Sequence, residues 1–214
     1  MWLTGNYTRS YCVSNDVSTG LGAAIGGSYL TADPAFDRGH CSWSRRHLAN
    51  ATAGVQTPRF ANRALRALAS DWAVSGLVNA QSGTWLLVTT GRDNNFSGIS
   101  NQRPNQVLDD PYGNKTLGSY LNPAAFAQPA AGTLGNQRAR AFEGPGYWTV
   151  DVSLSRRLSI GATQRVELRL ETFNLLNNFN WGDPVTNLSA GTFGQIRTQA
   201  GSPRIVQFGV KYGF

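Results

Sequence analysis

The chain ends Gln207-Phe208-Gly209-Val210-Lys211-Tyr212-Gly213-Phe214, a strict alternation of large apolar side chains with polar or minimal ones. In an extended strand successive side chains point to opposite faces. Val206, Phe208, Val210, Tyr212 and Phe214 therefore share one face, and Gln207, Gly209, Lys211 and Gly213 share the other. One face suits lipid and the other suits water. A soluble amphipathic strand alternates in the same way, but has no reason to place an aromatic at the carboxyl terminus.

The same pattern is longer upstream. Trp148, Val150, Val152, Leu154, Leu158 and Ile160 alternate with Tyr147, Thr149, Asp151, Ser153, Ser155, Arg157 and Ser159. Residues 161–164 then supply a turn, and Val166, Leu168 and Leu170 alternate with Arg165, Glu167, Arg169 and Glu171. This predicts a two-stranded unit with one apolar and one charged face. Faces must match across a hairpin, and the apolar set is even-numbered on both strands, so paired positions must have an even sum. Arg157 is expected opposite Glu167 or nearby. Asp151, Arg157, Glu167, Arg169, Glu171 and Lys211 then form a mutually compensating inward charge ladder. Arg156 interrupts the apolar face near the turn, where a long side chain can snorkel to headgroups.

Weaker alternation predicts strands over 1–11 and 47–57, and another from Trp72 that runs on past Gly83 through Trp85-Leu86-Leu87-Val88. With 146–160, 165–177 and 203–214 the total is about six. Connections near 12–45, 91–145 and 178–202 are long, whereas those near 58–71 and 161–164 are shorter. Strict alternation of long and short connections is the pattern of bacterial outer-membrane barrels, long loops outside and short turns in the periplasm. Within 58–71, Ala61, Leu65 and Leu68 against Arg59, Arg63 and Arg66 have helical spacing. A solvated turn is the favoured reading there, and contact with headgroups or a partner is the functional one.

Composition agrees with strands that face two solvents. Charged residues are 14%, well below the roughly 25% of an average soluble domain, so Asn, Ser, Thr and Gln supply the polarity. The net charge of +7 is mostly arginine, scattered except at Arg45-Arg46, at Arg59, Arg63 and Arg66, and at Arg156-Arg157. Scattered arginine argues against nucleic acid and for anionic headgroups. No apolar run reaches the length of a spanning helix, but barrel strands need only about 9–11 alternating residues, which mean hydropathy, here −0.29, does not register.

Cys12 and Cys41 flank a Gly/Ser-rich segment, and either a disulfide or two free thiols fits that pattern in an oxidising location. His40, Cys41 and His47 with Cys12 can be drawn as a zinc site, although no regular ligand spacing recurs. Asp93, Asp109 and Asp110 lie in an Asn-rich loop that suggests calcium less strongly than simple solvation. Nucleophile elbows, phosphate-binding Gly loops and paired Cys-x-x-Cys motifs do not occur in the sequence. The expectation is a protein that is not an enzyme, with no catalytic residues, no metal and no cofactor.

The order Gln207, Gly209, Tyr212, terminal Phe214 resembles the carboxyl-terminal signal that bacterial barrel proteins present to their assembly machinery. The stretches LNPAAFAQPAAGTLGNQRARAFEGPGYWTVDVSLSRRLSI (121–160), LRLETFNLLNNFNWGDP (168–184) and PRIVQFGVKYGF (203–214) look like the carboxyl-terminal barrel of TonB-dependent outer-membrane receptors. Within these they are most similar to the Oar-like proteins with a carboxypeptidase-regulatory-like domain. SRRHLANATAGVQTP (44–58) and DWAVSGLVNAQSGTWLLVTTG (71–91) fit the same pattern. The resemblance implies a barrel of about 22 strands, plugged by an amino-terminal domain and energised from the inner membrane. It maps no ligand-contacting residue onto this chain. Asn122-Pro123, Gly144-Pro145-Gly146, Asn174, Asn177 and Asn178 read as structural punctuation.

The expectation is thus an all-β, antiparallel transmembrane β-barrel segment of about six strands, an incomplete barrel with long extracellular loops. Residues 1–214 are expected to be the carboxyl-terminal portion of such a receptor in the bacterial cell outer membrane, without plug or signal peptide. Expected partners are outer-membrane lipid, the barrel-assembly machinery, and the remaining strands and plug; nucleic acid is not expected. Six strands are too few to surround a lumen, and an open sheet in lipid leaves two unpaired edges. The competing readings are a secreted β-sandwich binding glycans through Trp43, Trp85, Trp148 and Trp181, a truncated remnant, and a small passive barrel or adhesin.

Overall fold

A computed structural model describes residues 1–15, 35–98, 100, 102–161 and 163–214. Its frame is one six-stranded sheet of β1 (Trp2–Arg9), β2 (His47–Gln56), β3 (Trp72–Gln81), β4 (Tyr147–Ile160), β5 (Gln164–Phe173) and β6 (Ile205–Gly213). Every strand pairs antiparallel with its sequence neighbour, an unbroken meander.

The register follows the parity argument. Arg157 lies opposite Glu167, and Leu154 opposite Leu170. Odd-numbered Ala49, Ala51 and Val55 of β2 meet even-numbered Ala80, Val78 and Val74 of β3. One face therefore carries the apolar side chains from β2 to β6. Their exposure separates a membrane wall from a sandwich: Phe208 is 83% exposed and Val210 is 73% exposed. Among the described residues no second large sheet covers this face.

The opposite face is a polar row. Trp2 stands opposite Gly54, Gly54 opposite Ser75, Ser75 opposite Ser153, Ser153 opposite Glu171, and Glu171 opposite Gln207. The row begins at the first residue of β1 yet meets β6 well before Gly213. That progressive stagger is what tilted strands of a barrel require. The sheet does not close on itself: among the described residues, the outer edges of β1 and β6 carry no strand partner.

Two short connections leave one end of the sheet. Gly161, at φ 68°, turns β4 into β5. Within residues 57–71 the helical spacing gives α1 (Arg63–Ala69), with the Asn62 side-chain Oδ1 accepting from Ala64 N and Leu65 N. Thr57 N donates to Trp72 O at 2.8 Å and Trp72 N to Thr57 Oγ1 at 3.0 Å, which closes the excursion.

Two sequence expectations fail at the other end. β3 stops at Gln81 rather than continuing through Trp85–Val88, since Gly83 lies against the backbone of Gly144 and Pro145, where no Cβ fits. Likewise β5 stops at Phe173 rather than running to 177, because Asn174 and Asn177 both adopt φ 51°.

The freed residues build the hydrophobic core, which lies in the long connections and not on the sheet. Leu86, Val88, Tyr120, Leu121, Ala125, Phe126, Phe142, Phe193 and Ile196 form one buried cluster. Phe126 packs edge-on against Phe142 and Phe193, with ring centroids 5.8 and 5.5 Å apart. Short ladders (Trp85–Leu86 with Phe142–Glu143, Asn105–Gln106 with Phe126–Ala127, Tyr112–Thr116 with Ser119–Leu121) and bridges such as Thr89 to Asn187 and Pro184 to Ile196 knit 82–146 and 174–204 into one cap.

Candidate functional site

The inward charges occupy the β4–β6 end of the polar face. Arg169 Nη2 donates to Glu167 Oε1 at 2.7 Å and its Nη1 to Glu171 Oε1 at 3.4 Å, so one guanidinium bridges the two carboxylates that flank it on β5. Arg157 Nε approaches Glu167 from β4 at 3.6 Å, and Lys211 is the register partner of Glu167 on β6. These groups are partly exposed, so the pairs contribute little individually. Asp151 does a different job: its Oδ1 accepts the backbone N–H of Asn174 at 2.8 Å, fixing the exit of β5 into the cap. Above it, Asn180 accepts from Trp148 N at 3.0 Å and donates to Trp148 O at 2.9 Å, replacing a missing strand neighbour.

Cys12 and Cys41 are joined in a disulfide, with Cα atoms 5.5 Å apart. That bond removes both thiols from any zinc site. His40 and His47 are committed elsewhere: His40 Nδ1–H donates to Cys12 O at 3.3 Å, and Tyr7 Oη bonds His47 Nδ1 at 2.6 Å. The Gly/Ser-rich segment between the cysteines lies largely outside the described residues. His40 stacks on Trp85 with ring centroids 3.5 Å apart, Arg46 lies over the same indole, and Arg46 Nε pairs with Glu143 Oε1 at 2.9 Å. Burial holds the His40 ring below its usual pKa, with Arg46 adding to the effect and the Cys12 carbonyl opposing it. Burial likewise pushes the Tyr112 and Tyr120 phenols up, and both hydroxyls donate to the Glu143 carbonyl.

The calcium reading of the Asn-rich loop gives way to a self-satisfied polar knot. Asp93 Oδ2 accepts from Gly98 N at 2.7 Å, and Asp93 Oδ1 from Ser97 N at 3.0 Å and Gln102 Nε2 at 2.7 Å. Burial pushes this carboxyl up, but the donated hydrogen bonds outweigh it and hold the pKa below the usual range. Asp110 caps Tyr112 N. Among the described residues no three His, Cys, Asp or Glu side chains gather as a metal-binding group.

Among the described residues, several recesses are open to a ligand, three of them on the inward face and the cap. On the inward face Trp2, Ser75, Asp151, Glu171 and Phe173 line one of about 170 Å³. At the cap, Tyr11, Arg38, His40 and Arg138 line a basic cleft of about 250 Å³. Lys115, Tyr120, Trp148, Phe179 and Trp181 line an aromatic cleft of about 320 Å³. The four tryptophans grouped as a glycan platform do not assemble: Trp85 is buried beneath His40, and Trp43 is not among the walls of the cleft shared by Trp148 and Trp181. Sequence reasoning missed this cap, because its apolar residues have no period of 2 or 3.6.

Aromatic side chains mark both ends of the apolar face, as in membrane barrels. Tyr7 and Trp148 lie on one perpendicular row through Ala49 and Ala80 at the cap end. Trp72, Tyr212 and Phe214 mark the other end. Among the described residues no helix is long and apolar enough to cross a membrane, and the strands are the spanning elements. No curated protein and no solved structure matches the chain. The profile of a family described as "Outer membrane beta barrel domain" matches residues 1–207. With its two-faced meander, staggered register and aromatic girdles, the chain belongs to the outer membrane β-barrel domain family and forms barrel wall in the bacterial outer membrane.

Proposed function

We propose that this wall is part of a TonB-dependent, Oar-like receptor, in which the inward ladder lines the lumen and the packed cap presents ligand-facing clefts to the outside. The observation that carries the reading is the open sheet: among the described residues β1 and β6 have free outer edges, which lipid does not tolerate, and their stagger suits further strands of a much larger cylinder. The receptor-like stretches 121–160, 168–184 and 203–214 fall on β4, β5, β6 and the cap, and so support the same assignment. In this reading Gln207, Gly209, Tyr212 and Phe214 serve as the assembly signal, the plug and remaining strands are partners, and the chain binds and passes a solute without transforming it. Reading the DNA directly upstream of the Met1 codon tests it. An in-frame signal, plug and earlier strands are the expected result; a stop codon immediately upstream overturns the proposal.

A further inference from the structure

The excursion between β2 and β3 does more than return the chain. Arg156 points out of the apolar face from β4, and its guanidinium lies 5.2 Å from the centroid of the Trp72 ring while donating to the Ala67 carbonyl near the end of α1. Trp72 Nε1 donates to Leu68 O at 2.9 Å. Both contacts come from the outward face, so α1 is fastened against the outside of the wall, at the girdle of Trp72 and Tyr212, and not beneath the lumen.

That placement exposes an amphipathic surface to the bilayer edge. In α1, Leu65 and Leu68 lie on one side, and Leu68 is 74% exposed. Arg63 and Arg66 lie on the other, since helical residues advance by about 100° each. Arg66 folds back onto the carbonyls of Phe60 and Ala61, 2.9 and 3.0 Å away. Among the described residues Arg59 and Arg63 have no ion-pair partner, and both are exposed. Over residues 57–71 the only carboxylate is Asp71, against three arginines.

We propose that α1 is an interfacial anchor: Leu65 and Leu68 sink into the periplasmic leaflet while Arg59 and Arg63 bind the phosphates of anionic phospholipids. Short amphipathic helices with arginine on the polar side lie in the interface in this manner. Each basic side chain at an anionic surface is worth about fivefold in binding. The inference rests on the membrane placement and is independent of which solute is carried.

The test uses the full-length protein from the outer membrane, in vesicles of phosphatidylcholine with or without phosphatidylglycerol. Both cysteines of this chain are locked in the disulfide, so L68C accepts a polarity-sensitive fluorophore within it, and any cysteine elsewhere in the full-length protein is first replaced by serine. Brominated lipid should quench that label several-fold more than one at T163C in the neighbouring hairpin turn. Phosphatidylglycerol retained on protein released from mixed-lipid discs should fall by about tenfold or more in R59Q/R63Q and persist in R59K/R63K. A Leu68 label as accessible to aqueous iodide as the Thr163 label, or lipid retention unchanged in R59Q/R63Q, overturns the anchor.

Discussion

Arg103 and Asp37 form an ion pair within the cap, Nη1 to Oδ1 at 2.6 Å, with side chains only 2% and 1% exposed. Arg103 also donates to the carbonyls of Gln137 at 2.9 Å and Phe36 at 2.7 Å, so one guanidinium joins the end of the disulfide loop to two stretches of 82–146. Removing one partner of such a pair leaves a buried charge and costs about 3–5 kcal/mol, whereas replacing both with apolar groups costs far less. R103M should make the cap sensitive to protease while the strands stay protected. R103M/D37L should recover most of the resistance.

The Cys12–Cys41 bond spans a sequence separation of 29 residues, and closing a loop of that size stabilises by about 3–4 kcal/mol in the chain-entropy view. C12S/C41S is expected to raise cleavage within 10–46 without changing assembly of the wall. Peptide mapping after limited proteolysis of whole cells measures it; equal cleavage rates in both proteins defeat the expectation.

His40 gives the cap a pH dependence. Its folded-state pKa lies below the ordinary 6.5 because burial against Trp85 disfavours the charged ring. The unfolded loop therefore binds more protons in mildly acid solution, and the contribution is whole above pH 6.5 and is lost as pH falls through the folded value. Hydrogen exchange at Gly39 and His40 should quicken between pH 7.5 and pH 5 in the wild type. In H40F that acceleration, after correction for intrinsic exchange, should vanish.

Leu154 and Ser155 are neighbours on β4 with opposite surroundings, lipid for one and lumen for the other. An arginine at the lipid face near the midplane costs about 2–4 kcal/mol, and one in the lumen costs little. L154R should sharply reduce the amount of protein in the outer membrane, while S155R accumulates normally. Equal accumulation would mean that the faces are assigned wrongly.

If Tyr212 and Phe214 are read by the assembly machinery, truncating the terminal ring should slow insertion without affecting the folded wall, since both rings already lie exposed on the outward face. Pulse-chase of F214A should show delayed outer-membrane arrival, and its final thermal stability should equal that of wild type. An unchanged arrival time removes the signal role.

The sheet was legible because each strand meets two different solvents, and alternation is the direct imprint of that. Parity alone set Arg157 opposite Glu167. The cap was not legible for the complementary reason. Leu86, Leu121, Phe142 and Phe193 become neighbours only through turns and Pro/Gly-rich segments that impose no period. Trp85–Val88 read as strand because apolar runs look alike in a membrane wall and in a core. The stop after Gln81 depends on a backbone contact between Gly83 and Gly144 that local sequence does not reveal. The spacing of α1 was visible, but its place outside the wall required the reach of Arg156 to Ala67.

The cap is sewn across the tops of β3, β4, β5 and β6, because 82–146 leaves and re-enters the sheet within that span and 174–204 does the same beside it. Mechanically those four strands are splinted at one rim. In the proposed receptor the β1–β2 connection is tied to the same cap, through His40 on Trp85, Arg46 with Glu143 and Asp37 with Arg103, so this section would serve as one stiff stave and any widening that admits a solute would fall to strands beyond it.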